Sequence, residues 1–270
     1  MIGLQKLLVE EFEGLCRKTS YGTLDEVVFA LPKGKLSEIG TRGYFVRKMY
    51  DYIIAESIMK GLAVRSNLPL KWFEISLPLL AEMIISLQYY HNQILDRKGG
   101  IVTHAAISNN LIAGNLFRST INYYIEKNFK IDELSREKVR NTVDTILTHV
   151  DIGQYLDKNW GNYECLIHGL PENASLGDRI NSVILEDVIE DIWEEIKSHG
   201  ISDSKEQFTK MYLRRIYLCN GSLFILFNRL LCDLLEYKGD LLEIERFCAY
   251  LAIPLQIMND NIDFHPLLPF

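Results

Sequence analysis

A chain of 270 residues, 48% of them apolar, is long enough for one large domain or two small ones and can bury a sizeable core. Its net charge of −7 argues against a general nucleic-acid binder, which needs a basic stripe or excess. The five cysteines are odd in number and scattered (Cys16, Cys165, Cys219, Cys232, Cys248), with no C-x-x-C, so reduced thiols are expected rather than a disulfide frame or a zinc site.

Apolar positions recur at three- and four-residue intervals, and this predicts helices over 3–18, 44–62, 70–96, 103–128, 134–149, 176–198, 204–218, 221–236 and 240–264. The opening stretch carries Glu10, Glu11 and Glu13 where an export signal needs a basic patch and an unbroken apolar run, so a cytoplasmic protein is expected. The segments 70–96 and 240–264 are apolar nearly all round, as in helices covered by neighbours. Between the predicted helices, Trp160–Ser175 gathers Gly161, Gly169, Pro171 and Asn173 and reads as a long loop. The helix over 176–198 sets Glu186, Asp187, Glu190, Asp191, Glu194 and Glu195 against Val188, Ile189, Ile192, Trp193 and Ile196, which reads as a solvated acidic face. The most apolar stretch, 216–235, is interrupted by Asn220, Gly221, Asn228 and Arg229, and no membrane span is expected. Strand signals are scarce and no linker divides the chain. A single all-α domain over 1–270 follows, with long helices around one core.

Two segments near opposite ends carry polar groups at i, i+1 and i+4 on otherwise apolar helices. The first, Tyr90 to Asp96, offers Asn92, Gln93 and Asp96; the second, Gln256 to Phe264, offers Asn259, Asp260 and Asp263. The spacing places the first and last groups of each on one helix face. No Walker loop, dinucleotide glycine fingerprint or G-x-S-x-G elbow occurs.

On these residues the chain resembles the trans-polyprenyl diphosphate synthases of the isoprenoid synthase superfamily, as a divergent member with degenerate aspartate-rich motifs. Glu82 to His91 matches the spacing of E-L-I-H-x-x-S-L-x-H, and Asn92 to Asp96 then falls on the first D-D-x-x-D. Arg97-Lys98-Gly99 through His104 to Ala113-Gly114-Asn115-Leu116 looks like R-R-G…T-x-H…A-G-D-x-L. Gly153 to Asp157 looks like G-Q-x-x-D, Cys219 to Phe224 sits where K-T-G-x-L-F belongs, and Gln256 to Asp263 falls on F-Q-x-x-D-D-x-x-D. Arg47 precedes Glu56 as the last arginine of G-G-K-x-x-R-P precedes its helical glutamate. The likeness covers roughly 42–264. It implies an isoprenoid-synthase-like bundle around a central cavity, often dimeric. It also implies Mg2+-dependent ionisation of an allylic prenyl diphosphate followed by attack of isopentenyl diphosphate.

The departures fall on the ionic groups. Asn92, Gln93 and Asn259 stand where the pattern has aspartates, so Asp96, Asp260 and Asp263 are the remaining carboxylates. Magnesium favours oxygen ligands, usually carboxylates, and an amide oxygen supplies no charge, so the metal site is expected to be weakened or lost. Tyr44, Ile85 and Cys219 replace a lysine, a histidine and a lysine. Asn259 also fits the first position of the N-D-x-x-S-x-x-x-E of class I terpene synthases, although Asp263 and Leu267 depart from it.

Two functions stand open, beside a third reading as an unrelated helical scaffold. In the first, a divergent Mg2+-dependent prenyl transferase or terpene-synthase-like enzyme, Asp96, Asp260 and Asp263 carry metal and ionisation, with Asn92 and Asn259 as neutral ligands. Arg47, Arg97 and Lys98 hold phosphate, Gln154 binds substrate, and Tyr89 lies near the isoprenoid tail. One of Arg214 and Arg215 stands in for the lost lysine, with Arg214 carried as the candidate. In the second, the chain is a catalytically silent subunit or prenyl-lipid-binding partner of an active synthase. A homodimer, or a heterodimer with a related synthase, is expected in either case.

Overall fold

The computed structural model describes residues 2–18, 41–62, 66–95, 104–129, 132–158 and 176–264. These residues are all-α and hold no strand. In chain order the helices are α1 (Ile2–Lys18), α2 (Thr41–Met59), α3 (Leu77–Leu95), α4 (His104–Asn128), α5 (Glu133–Lys158), α6 (Leu176–Ser198), α7 (Glu206–Ile216), α8 (Ser222–Leu234) and α9 (Leu241–Phe264). A π-helical turn, Trp72–Ser76, leads into α3, and a second, Tyr217–Gly221, joins α7 to α8. The predicted helices agree with these closely. The main difference is α5, which runs on to Lys158 rather than ending at 149. The expected loop over 160–175 lies outside the described residues. No described helix is long and apolar enough to cross a membrane.

By packing, the chain divides into two compact units: Met1–Thr145 with Leu230–Gly239, and Ile146–Arg229 with Asp240–Phe270. In the first unit α3 lies against α2 and α4. Its residues from Leu77 to Gln88 are buried on every side, which is why the sequence there is apolar all round. Aromatic side chains fill the layer beside it: Trp72 against Phe129 with ring centroids 4.6 Å apart, Phe12 against Phe117 at 5.6 Å, and Tyr50 stacked on Phe73 at 5.0 Å. Full burial of a side chain such as Phe12, Phe73, Phe117 or Phe129 contributes about 1.5–3 kcal/mol.

Two helix ends of this unit use the same hydrogen-bond pattern with different residues. After α2, Leu62 N–H bonds the Ser57 carbonyl at 2.8 Å and Gly61 takes φ +64. After α8, Tyr237 N–H bonds the Cys232 carbonyl at 2.9 Å, and the left-handed position is filled by Glu236 with φ +49. A side chain there is strained where glycine is not. The corner is also tied by the Tyr237 hydroxyl, which donates to Glu56 at 2.6 Å.

In the second unit α9 packs against the π turn Tyr217–Gly221, α6 and α7. The buried side of α6 is Val188, Ile189 and Trp193, as its periodicity predicts. Its acids are exposed but not merely solvated: Asp187 accepts from Arg246 at 3.2 Å, Asp191 from the Tyr250 hydroxyl at 2.7 Å, and Glu190 pairs with Lys210. The carboxylate of Glu245 is buried and accepts both Nε and Nη2 of Arg229, the latter at 2.8 Å. Cys219, Cys232 and Cys248 are buried and take part in no disulfide.

Candidate functional site

The first polar segment is the C-terminal end of α3. Glu82 and Ile85 are buried in the run that precedes it. Glu82 accepts the backbone N–H of Gly43 and so satisfies an otherwise unpaired donor at the start of α2. Burial is the main influence on its carboxyl and raises its pKa, against the hydrogen bond from Gly43 and the nearby Arg42, which lower it. Burial also lowers the pKa of the Arg42 guanidinium, against the raising effect of Glu82. The contact demands glycine at 43, because a Cβ there would lie 2.8 Å from the Pro78 carbonyl oxygen.

Further along α3, Tyr90 is buried against Phe117, at 6.3 Å between ring centroids. Tyr89 is half-buried, with its ring edge-on to Tyr90. His91 and Asn92 are half-buried, and His91 lies against Gly114, where an added Cβ would come within 3.1 Å of its Nε2. The Gly114 of the A-G-D-x-L match is therefore the close approach of α4 to the end of α3. Asp96, Arg97 and Lys98 lie outside the described residues.

Arg47, expected to hold phosphate, is already engaged. Its Nη1 lies 2.8 Å from Glu74 and its Nε 3.2 Å from Asp51, while its guanidinium sits 5.6 Å from the Tyr50 ring centroid. Two carboxylates offset its single charge. Tyr44, where the resemblance calls for a lysine, lies beneath the Lys48 ammonium at 5.5 Å.

The second unit gathers more of the polar groups. Gln154 is buried on α5. Its neighbour Gly153 meets the π turn so closely that a Cβ would fall 2.7 Å from Cys219 Sγ and 3.0 Å from Cys219 N. Cys219 thus marks a tight helix crossing and has no charge with which to meet an anion. His149 stands beside the same turn, its ring centroid 6.3 Å from that of Tyr217.

Asp260, on α9, has each carboxylate oxygen occupied. Oδ2 accepts the Tyr212 hydroxyl at 2.8 Å and Arg215 Nη2; Oδ1 accepts Gln256 Nε2 at 2.6 Å. Gln256 is in turn oriented by Asn220, whose Nδ2 donates to Oε1. The Arg215 guanidinium lies over the Tyr212 ring at 5.0 Å. Burial first, and then the bond to Asp260, push the Tyr212 hydroxyl pKa up to about 12, so it is a donor at neutral pH.

The arginine that meets Asp260 is therefore Arg215 and not Arg214, which is half-buried. Arg215 is buried on α7, and Met211, four residues before it, lies on the same buried face. The side chains of Asn259 and Asp263 lie outside those described.

Magnesium, which the resemblance implies, does not fit Asp260 in these surroundings. Its neighbours are hydrogen-bond donors, and a cation there would have to displace Arg215 and meet the N–H and O–H groups left behind. Among the described residues no group of three or more His, Cys, Asp or Glu side chains is arranged to hold a metal ion. Comparison with protein-family profiles, curated proteins and solved structures finds no match for the chain.

Proposed function

We propose that this is a divergent isoprenoid-synthase-like protein, a bundle of long helices around a prenyl cavity, that does not carry out magnesium-dependent chain elongation. It acts as the catalytically silent subunit or prenyl-lipid-binding partner of an active prenyl diphosphate synthase. The observation that carries this reading is Asp260, whose carboxylate is held by Arg215, Tyr212 and Gln256 instead of being left open for a cation. Three further features support it. Arg47 is neutralised by Glu74 and Asp51, Ile85 is buried where the resemblance calls for a histidine, and Cys219 is buried at a helix crossing where it calls for a lysine.

The test is turnover. Purified protein is incubated with Mg2+ and geranyl or farnesyl diphosphate, with and without isopentenyl diphosphate, and release of inorganic diphosphate is followed. No release is expected, together with a mixed complex on size-exclusion chromatography when an active prenyl diphosphate synthase from the same source is added. Turnover that disappears in Asp260→Ala would overturn this reading and establish the divergent magnesium-dependent prenyl transferase or terpene-synthase-like enzyme in its place.

A further inference from the structure

We propose that the outward face of α9, with the acidic row of α6 beside it, is a docking surface for an amphipathic helix of another protein, one that carries lysine or arginine along its apolar row. The first basis is the stripe itself. Phe247, Leu251, Pro254 and Met258 recur at i, i+4, i+7 and i+11 and so share one face of α9. Phe247 and Met258 are each 56% exposed, and Leu255, beside them, is 49% exposed. The far side of the helix, with Ala249 and Ala252, is buried. The sequence of α9 is apolar nearly all round, yet the outward face stays in contact with water. Large apolar groups aligned turn by turn, rather than scattered singly, mark an interaction surface. Their spacing is what an incoming helix meets with its own i, i+4 and i+7 anchors.

The second basis is charge. Asp187 accepts from Arg246 at 3.2 Å and Asp191 from the Tyr250 hydroxyl at 2.7 Å, and each pair is 59 residues apart in the chain. A constant offset means that α6 and α9 lie side by side and run in the same direction. The same step sets Glu194 and Glu195, both exposed, level with Ile253 and Pro254. Asp187, Asp191, Glu194 and Glu195 fall on one side of α6, at i, i+4, i+7 and i+8. An acidic row therefore borders the apolar stripe. Arg246 offsets one of these charges, and His199 stands 4.0 Å from Glu195. The excess remains negative, and a basic row on the incoming helix complements it. A second copy of the chain is the poorer fit, because it brings a net charge of −7 and the same acidic row. All these groups lie within one unit, and the inference does not rest on the prenyl reading.

The experiment titrates the full chain into three labelled synthetic peptides and follows fluorescence anisotropy. The first has leucines at i, i+4, i+7 and i+11 with lysines alongside. The second replaces each lysine by glutamate, and the third keeps the leucine and lysine composition with the leucines scattered. The first peptide is expected to bind about tenfold more tightly than either control, and less tightly as salt is raised. Phe247→Ser/Met258→Ser is expected to remove that advantage. Glu194→Lys/Glu195→Lys is expected to weaken the lysine peptide and strengthen the glutamate peptide. Thermal unfolding shows which variants are folded, and the α6 pair of exposed substitutions serves if the α9 pair unfolds. Equal binding of the scattered peptide would overturn the proposal, because charge alone then explains it. So would binding that survives in both folded variants, by placing the peptide elsewhere. A wild-type dimer in sedimentation that Phe247→Ser/Met258→Ser abolishes would make a second copy the occupant and end the proposal. Binding to phosphatidylcholine vesicles lost in the same variant would make it a lipid surface, with the same consequence. Turnover in the assay above bears on the proposed function and leaves this inference intact.

Discussion

Glu82 in the first unit and Asp260 in the second are acids on largely apolar helices, and they are held in different ways. Glu82 is 1% exposed and accepts the Gly43 N–H, a backbone donor fixed by the helix it starts. Asp260 is bound by side-chain donors alone in the contacts described, at the edge of its unit. A backbone donor cannot turn to another partner without unwinding its helix, whereas side-chain donors can rotate to another. The contrast separates an acid held by a backbone donor from one held by side chains.

The strongest way to break this comparison is to remove both acids. Glu82→Ala leaves Arg42 and the Gly43 N–H buried without their partner and is expected to cost about 3–5 kcal/mol. Asp260→Ala is expected to cost clearly less, about 1–3 kcal/mol, because water reaches its donors. Urea unfolding of the two variants checks the order, and equal losses would erase the distinction. Next, Gly43→Ala forces a Cβ to 2.8 Å from the Pro78 carbonyl oxygen, a backbone atom with little freedom to move. A loss of about 1–3 kcal/mol is expected by the same measurement.

Tyr237→Phe tests an intermediate case, the buried Glu56 held by a side-chain hydroxyl and by Lys60. Its midpoint in urea is expected to fall by the equivalent of about 1.5 kcal/mol. The pH dependence sharpens the first case. Burial raises the Glu82 pKa above its ordinary 4.5, so just above that pH the folded state binds more protons than the unfolded one. Its contribution is therefore fully present below the ordinary value and is lost as pH rises toward the folded one. Glu82→Gln lacks this slope. Its stability deficit against wild type is expected to shrink as pH rises from about 4 to about 7, followed by thermal unfolding across that range. The smallest effect is expected at Glu236, where glycine relieves the left-handed backbone; Glu236→Gly is expected to raise stability by up to about 1 kcal/mol, read from the melting temperature.

Much of the helical framework was legible in the sequence because amphipathic period is a local property. The spans at 3–18, 103–128, 176–198 and 240–264 fall within a residue of the observed helices. Less legible was the continuation of α5 through Gly153. A glycine inside a helix reads as a stop, yet here it is the space into which Cys219 fits. The candidate site was legible in part. The sequence singled out Asp260 as a polar group on an apolar helix, but its partners Arg215 and Tyr212 lie 45 and 48 residues away in the chain, and the neighbouring Arg214 was the arginine carried forward.

Composition and periodicity by themselves determined an all-α chain with long buried helices and polar groups one turn apart near Asn92 and Asp260. Tertiary structure alone decided what those groups meet. It set Arg47 between Glu74 and Asp51, Glu82 at the start of α2, and Asp260 among three donors. The physical reason is range. Helix formation reads out neighbours within a few residues, while the fate of a charge depends on which distant helix face is packed against it.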